Sequence, residues 1–397
     1  MKIADISEFY SPTGGGVRTY VDEKFHAAAR HGHTIVLIAP GPEDRVEHRD
    51  GGKLVWVKSP VLPMDSNYRM FWKAAPIWQV LDAERPDIVE GSSPWRGGWL
   101  AATWPGAAPR VLFMHADPVA VYPQTLLGNI LPAATIDRLF GWFWAYLRHL
   151  NRHFDGCVVA GRWLAERFSR HGLERISVVP FGVGVNAFDP SWRDESLRAT
   201  MLEACGLDRH ASLLVTVGRH HPEKRLGLLM RAVGRAQKSR RIGLYVIGDG
   251  LMHRQVQAQA ARMEHVHVAG HVGDRQVLAR MMASADALLH GSTAETFGFV
   301  VAEALCAGTP LIVPRAGGAG DLAADAYAET YEPGNASAAA AAIIRLLARE
   351  RGPMSDAARA AGVGLGDMDQ HFTRLFTHYE QIVRNAGPLS RAGPGPV

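Results

Sequence analysis

Val179-Pro180-Phe181-Gly182-Val183-Gly184 ends one series of short apolar runs, and Leu213-Leu214-Val215-Thr216-Val217 begins another. Between them the chain keeps neither a strand period nor a helix period, and Asn186, Asp189 and Pro190 break it further. Upstream of this junction, strands are expected at Lys2–Ile6, Thr34–Ala39, Leu54–Val57, Asp87–Val89, Arg110–Met114, Gly156–Val159 and Ile176–Val179. Helical periodicity fills the gaps, as in Val17–Arg30 closed by Gly32. Downstream, strands are expected at Leu213–Val217, Gly243–Ile247, Val266–Ala269, Ala287–His290 and Leu311–Val313. The helices between them are expected around Lys224–Lys238, Leu251–Met263, Arg275–Ala283 and Phe299–Ala307. Strands alternating with helices imply an α/β fold with parallel, doubly wound sheets. The expected organisation is one such domain over residues 1–185, a second over 186–369, a helix over 370–387 and a disordered Ser/Pro/Gly tail over 388–397.

Composition narrows the function classes. The 397 residues, 47% hydrophobic and 21% charged, supply large cores and exclude a disordered chain. A net charge of +4 lacks the basic excess of a dedicated nucleic-acid binder. Cys157, Cys205 and Cys306 are too scattered for a disulfide framework or a cysteine zinc site, which points to a reducing compartment. The start Met1-Lys2-Ile3-Ala4-Asp5-Ile6 enters a strand-like run and not a secretory signal. The uncharged stretch Pro118–Ile136 lacks the hydrophobic density of a spanning helix. A cytoplasmic protein is expected, with at most a peripheral association with the inner face of the cytoplasmic membrane.

Three constellations could carry chemistry. Gly14-Gly15-Gly16 follows the first strand and opens a helix, where backbone N–H groups can approach an anion or the chain can simply turn tightly. It lacks the spacing and acidic partner of a dinucleotide site, so a nicotinamide cofactor is disfavoured. Gly218-Arg219 follows the strand Leu213–Val217, and Lys224 stands at the start of the next helix. The two cations suit a diphosphate, or form a solvated loop countered by Glu223. Glu295-Thr296-Phe297-Gly298-Phe299-Val300-Val301-Ala302-Glu303 places two carboxylates with seven residues between them, one before a helix and one about two turns into it. The N–H groups from Gly298 to Val301 would point at a phosphate, and Glu303 could reach a ribose.

This last stretch, continuing Ala304-Leu305-Cys306-Ala307-Gly308-Thr309-Pro310 and Gly317-Gly318, resembles the E-x7-E signature of retaining glycosyltransferases of family four. The segments Phe9-Tyr10-Ser11-Pro12-Thr13-Gly14-Gly15-Gly16-Val17-Arg18-Thr19-Tyr20, Val179–Val183, Gly218-Arg219 with Glu223-Lys224, and Gly248-Asp249-Gly250 are similar to family motifs in the family's order, over roughly residues 1–385. The resemblance implies a GT-B fold, with two facing Rossmann-like domains, an N-terminal acceptor side, a C-terminal nucleotide-sugar side and a final helix crossing back. It implies that Glu295 binds donor-sugar hydroxyls, Glu303 the ribose, and Arg219 and Lys224 the diphosphate. Gly14–Gly16 would approach the donor phosphates. Phe297, Gly298, Phe299 and Val300 would line the donor site beside Gly218.

His115, otherwise a loop or core histidine, matches the family histidine near the reacting centre. Arg18, Tyr20 and Asp117 are candidates for acceptor contacts. Ala294-Glu295-Thr296 departs from the context of many relatives. No cofactor or metal is expected beyond the nucleotide-diphosphate sugar. The opening motif looks especially like mannosyltransferases that build bacterial glycolipids and polysaccharides, so GDP-mannose is the first donor and a UDP-sugar the second. A nucleotide-sugar epimerase, a glycan phosphorylase or a non-catalytic sugar-nucleotide-binding protein are the rival readings.

Two further features remain. His265, His267 and His271 alternate along a strand, but no carboxylate or thiol completes a metal set, and a strand passing a nucleotide base explains them. In Arg138–Phe154, Phe140, Phe143, Trp144, Leu147 and Leu150 share one helical face, which reads as core. Trp142, Tyr146, His149 and His153 share another, with Arg148 and Arg152 nearby. That face either packs on neighbouring elements or rests on an anionic bilayer, in which case the acceptor is a lipid or lipid-linked glycan.

Overall fold

The computed structural model describes residues 1–11, 16–62, 65–128 and 130–387. Gly14, Gly15 and the tail over 388–397 lie outside the described residues. The strands are β1 Lys2–Ile6, β2 Thr34–Gly41, β3 Arg45–Arg49, β4 Gly52–Lys58, the short pair β5 Val61–Leu62 and β6 Asp65–Arg69, then β7 Ile88–Gly91, β8 Arg110–Met114, β9 Gly156–Val159 and β10 Ile176–Val178. The second series is β11 Ser212–Val217, β12 Ile242–Ile247, β13 Val266–Gly270, β14 Ala287–Leu289, β15 Leu311–Pro314 and β16 Ala328–Tyr331.

The first sheet runs β10-β9-β8-β7-β1-β2-β4-β3 and the second β13-β12-β11-β14-β15-β16. Every pairing in them is parallel except that of β3 with β4. Helices on both faces bury these strands, which is why β8, β9 and β15 read as continuous apolar runs without alternation. In each sheet the winding reverses beside its first strand, between β1 and β7 and between β11 and β14. These are the switch points where crevices open at the carboxyl ends of strands. The two units are Rossmann-like, and together they form a GT-B fold.

Local sequence explains the helices that feed these crevices. Gly16–Arg30 buries Tyr20, Val21, Lys24, Phe25, Ala27 and Ala28 along one stripe. It stops where Gly32 takes φ 68°, with Gly32 N–H donating to the Ala29 carbonyl at 3.3 Å and His33 N–H to Ala28 at 2.8 Å. The helix expected over Lys224–Lys238 is divided. Pro222–Lys224 makes a single tight turn, Arg225 takes φ 50°, and the α-helix runs from Leu226 to Ala236. Lys224 therefore sits on a loop turn and not on the helix itself.

The final helix, Met368–Asn385, packs on the first unit. Arg30 bonds Asp369 at 2.9 Å, Tyr20 Oη meets His371 Nε2 at 3.2 Å, and the Tyr379 hydroxyl donates to Glu90 at 2.7 Å. Where this return passes the Pro180–Gly184 crossing, Val183 N–H donates to the Gly366 carbonyl at 2.9 Å. A Cβ on Gly182 would lie 1.9 Å from the Asp367 carbonyl oxygen, so only glycine lets the two crossings touch.

Candidate active site

The end of β8 in the first unit and the β11–β14 switch point of the second face a common cavity of about 360 Å³. From the first unit, His115 and Ala116 follow β8. From the second, Gly218 and Arg219 follow β11, Glu223 and Lys224 come from the turn after it, and Ala294 to Val300 enter from beyond β14. The cavity thus gathers His115, Gly218, Arg219, Lys224, Glu295, Phe297, Gly298, Phe299 and Val300, residues separated by up to 185 positions in sequence.

Glu295 is the electrostatic centre. Lys224 Nζ donates to Oε1, and His290 Nε2 lies 3.3 Å from Oε2. Burial alone would raise its pKa, but His290 and then Lys224 outweigh it and hold the carboxyl well below the usual range. The group is ionised throughout the physiological range. Gly298 caps the Phe299–Cys306 helix at φ 87°, and a Cβ there would lie 3.2 Å from Glu295 Oε2. Only part of the expected N–H array is free at that helix start, because Val301 N–H is returned to the Gly298 carbonyl at 2.9 Å. Phe299 and Val300 remain in the cavity wall.

Glu303 does not line the cavity. It lies along the same helix and accepts from Arg275 at 2.8 Å, and burial raises its pKa more strongly than Arg275 lowers it. His115 stacks on Phe113 at 4.2 Å, and burial drops its pKa to about 4, so its imidazole is neutral at pH 7. Its carbonyl oxygen accepts from the Thr296 hydroxyl at 2.9 Å, a direct bond between the two units. Phe181 adds an aromatic bridge, stacked on Phe299 at 5.2 Å and edge-on to Phe297 at 5.6 Å.

The acceptor candidates are placed differently. Tyr20 is buried with its hydroxyl on His371. Asp117 is sealed, accepting from the Val119 and Ala120 N–H groups and pairing with Arg167. Both side chains brace the first unit, and neither has a polar atom left for an acceptor. Arg18 is exposed beside Asp22, and Gly16 is exposed at its helix start.

In the aromatic–basic segment, Phe143, Trp144, Leu147 and Leu150 are core, with Phe140 packed partly against them. Trp142 is 67% exposed, and Arg152 is exposed as well. Tyr146 instead donates to the Pro94 carbonyl at 2.7 Å and Arg148 to the His171 carbonyl at 3.1 Å, which turns both into the fold. His265, His267 and His271 do not converge. His265 Nδ1 sits 2.9 Å from the Cys205 carbonyl, His267 packs on Tyr245, and His271 is exposed.

Three contributors escaped the sequence. His290 ends the run Ala287–Leu289 and looked like one more strand residue. Thr296 looked like spacing inside the carboxylate motif. The third is a sealed cluster behind His115, in which Lys24 Nζ lies 2.7 Å from Asp5 and 2.5 Å from Glu90.

Comparison with known proteins fits this geometry. The profile described as "Glycosyltransferase Family 4" matches residues 14–186, and "Glycosyl transferases group 1" matches residues 211–349. The chain is 30% identical over 329 residues to a GDP-mannose-dependent alpha-mannosyltransferase of Mycobacterium tuberculosis (strain CDC 1551 / Oshkosh), covering 81% of each chain. The chain belongs to glycosyltransferase family four. It is a retaining hexosyltransferase. A second relative, at 26% identity with 79% of this chain and 80% of the other covered, is a GDP-mannose-dependent alpha-(1-6)-phosphatidylinositol dimannoside mannosyltransferase of M. tuberculosis (strain ATCC 25177 / H37Ra). Among solved structures, sucrose-phosphate synthase from Thermosynechococcus elongatus aligns over 97% of this chain and all of its own at TM-score 0.75 and 19% identity. Anabaena Alr3699/HepE in complex with UDP and glucose aligns over 96% and 99% at TM-score 0.68 and 19% identity. At such identities these structures speak for the GT-B fold alone. Among the described residues no helix is long and apolar enough to cross a membrane.

Proposed function

We propose that this glycosyltransferase moves mannose from GDP-mannose to a lipid or lipid-linked glycan, with the donor in the cavity between the two units. The observation that carries the reading is the convergence of Arg219, Lys224 and the Glu295–Gly298 turn at a switch point, opposite His115. The GDP-mannose dependence named for the mycobacterial relatives supports the donor, and the phosphatidylinositol dimannoside named for one of them supports a glycolipid acceptor. A UDP-sugar is the second donor, because a family-wide cleft leaves base choice to a few contacts.

In this reading Arg219 and Lys224 meet the diphosphate, and the free N–H groups at the Phe299–Cys306 helix start add positive potential. Glu295 holds Lys224 in place and accepts from sugar hydroxyls, and Glu303, further along the Phe299–Cys306 helix and outside the cavity lining, serves the ribose of a nucleotide that extends past the cavity. The acceptor oxygen attacks the anomeric carbon from the face that the phosphate leaves. The carbon–phosphate-oxygen bond breaks as the new glycosidic bond forms, and the acceptor proton passes to the leaving phosphate. No protein nucleophile and no metal is needed for that step. Neutral His115, which cannot repel the developing positive charge on the sugar ring, offers its polar edge beside the reacting carbon.

An anionic membrane surface is the proposed setting. Leu126 and Ile130 are 70% and 79% exposed, and with Tyr122, Leu139 and Trp142 they put five large apolar side chains in water along one stretch of the first unit, beside exposed Arg138. The test is calorimetric titration with GDP, UDP and ADP, followed by transfer assays with the matching sugars. Selective GDP binding that is lost in Arg219→Ala is expected. Equal affinity for all three, or binding that survives the substitution, refutes the donor assignment. Salt-sensitive binding to anionic vesicles, lost in Trp142→Ser with Ile130→Ser, tests the surface separately.

A further inference from the structure

One polar cluster is used by none of these steps. Gly218-Arg219 leads directly into His220, and the neighbouring strand β12 leads into Gly248-Asp249-Gly250, three residues before His253. His220 and His253 meet through their Nδ1 atoms at 3.0 Å, with rings nearly parallel at 11°. Asp249 Oδ1 lies 3.2 Å from the same His253 Nδ1. Among the described residues this is the group whose side chains offer three ligand atoms within 4.8 Å of one another.

We propose that His220, Asp249 and His253 bind a first-row divalent transition cation such as Zn²⁺ or Co²⁺, beside the donor cavity. Imidazole nitrogens bind zinc at about 2.0–2.1 Å, so a pair separated by 3.0 Å subtends about 95° at a shared ion. That angle suits two neighbouring positions of a six-coordinate or distorted four-coordinate site, and two imidazoles with one carboxylate favour zinc, cobalt, iron or nickel over calcium or magnesium.

The two imidazoles face each other through Nδ1, and the Asp249 carboxylate oxygen adds a third acceptor beside them. A cation satisfies all three at once.

The frame is rigid before any ion arrives. His220 N–H donates to the Asp249 carbonyl at 2.8 Å, Met252 N–H to His220 at 2.9 Å, and His253 N–H to Gly250 at 2.9 Å. A Cβ on Gly248 would lie 2.0 Å from the Gly218 carbonyl oxygen, so the two strand ends can approach only through glycine. Asp249 is exposed, which gives the ion a path in from solvent. Because Arg219 immediately precedes His220, an ion here would clamp the loop that presents the guanidinium to the cavity.

The experiment titrates Co²⁺ into the metal-stripped full chain and follows its visible absorption, with Zn²⁺ displacement measured by calorimetry. One tight equivalent is expected. His253→Gln and Asp249→Asn, both partly solvent-facing, should each weaken that equivalent more than about 100-fold while leaving the melting temperature in chelator unchanged. A variant with His265, His267 and His271 all changed to Gln should retain it. Undiminished Co²⁺ binding in His253→Gln, or loss of it in the triple variant, overturns the site. These readouts need no nucleotide, so they stand apart from the donor assignment.

Discussion

Replacing Lys24 with methionine will destabilise the protein far more than replacing Asp5 with asparagine, although both remove the same ion pair. Asp5 and Glu90 are register partners on β1 and β7, and Lys24 reaches them from the Gly16–Arg30 helix, with all three side chains sealed from solvent. Methionine keeps the aliphatic stem but leaves two carboxylates facing each other. Stranding charge in this way costs about 3–5 kcal/mol. At about 2–4 °C per kcal/mol for a unit of ~200 residues, the melting temperature falls by about 6–20 °C.

Asparagine at position 5 instead leaves one ammonium and one carboxylate. Glu90 still accepts from Ser92 at 2.9 Å and from Tyr379 at 2.7 Å, so the expected cost is about 1–2 kcal/mol. The pH dependence separates the two variants further. Burial first, then Glu90, raise the Asp5 pKa against the pull of Lys24. A carboxyl raised in the folded state contributes stability that is full below its unfolded pKa and is lost as pH rises through the folded value. The native protein therefore loses this contribution with rising pH while Asp5→Asn does not, and the gap between them narrows. In Lys24→Met the pull that lowers the Asp5 pKa is gone, so that carboxyl binds its proton more readily and the gap widens with rising pH. Thermal melts of the three proteins at pH 5 and pH 8 give both trends. Equal melting temperatures for the two variants, or gaps that move in the same direction, would refute this reading of the cluster.

Glu295→Gln should lower turnover by about 10²–10³-fold in a transfer assay, since it removes a charge aimed at the cavity, and should also lower the melting temperature at neutral pH, because a carboxyl held below its usual range by His290 and Lys224 stabilises the fold there. His115, lowered to about 4, contributes stability that is full above about pH 6.5 and is lost as pH falls toward 4. Thermal melts of His115→Phe should therefore decline less steeply than the native protein over that interval. Arg275→Ala should raise the Glu303 pKa further, making nucleotide affinity fall more between pH 8 and pH 6 than in the native protein, by calorimetry.

What the sequence reveals depends on whether the signal is local. Strands buried on both faces are mostly apolar, so β8 and β9 are legible with their boundaries intact, and β1 is too although Asp5 interrupts its apolar run. The strand β3, Arg45-Val46-Glu47-His48-Arg49, is not legible, because it pairs antiparallel on an exposed edge where burial makes no demand. β16 also escaped, as Ala328-Glu329-Thr330-Tyr331 at the other sheet's edge carries a short and mixed pattern.

The site follows the same rule with one addition. Glu295, Gly298 and Glu303 are legible because one loop and one helix carry them at fixed spacing. Lys24 owes its role to carboxylates on two strands and Glu90 to Lys24 and Tyr379 on two helices, and pairing of that kind leaves no period in the sequence, while His290 meets Glu295 only through the fold of the loop between them. Lys24 is the extreme case. A lysine on a helix reads as a solvated cation, yet this one is fully sealed because two carboxylates from adjacent parallel strands converge beneath it. Their convergence depends on the β1–β7 register, which brings residues 5 and 90 side by side at the point where the winding reverses. The topology that opens a crevice above the sheet thus also creates a charged floor below it, and His115 is held neutral within that layer.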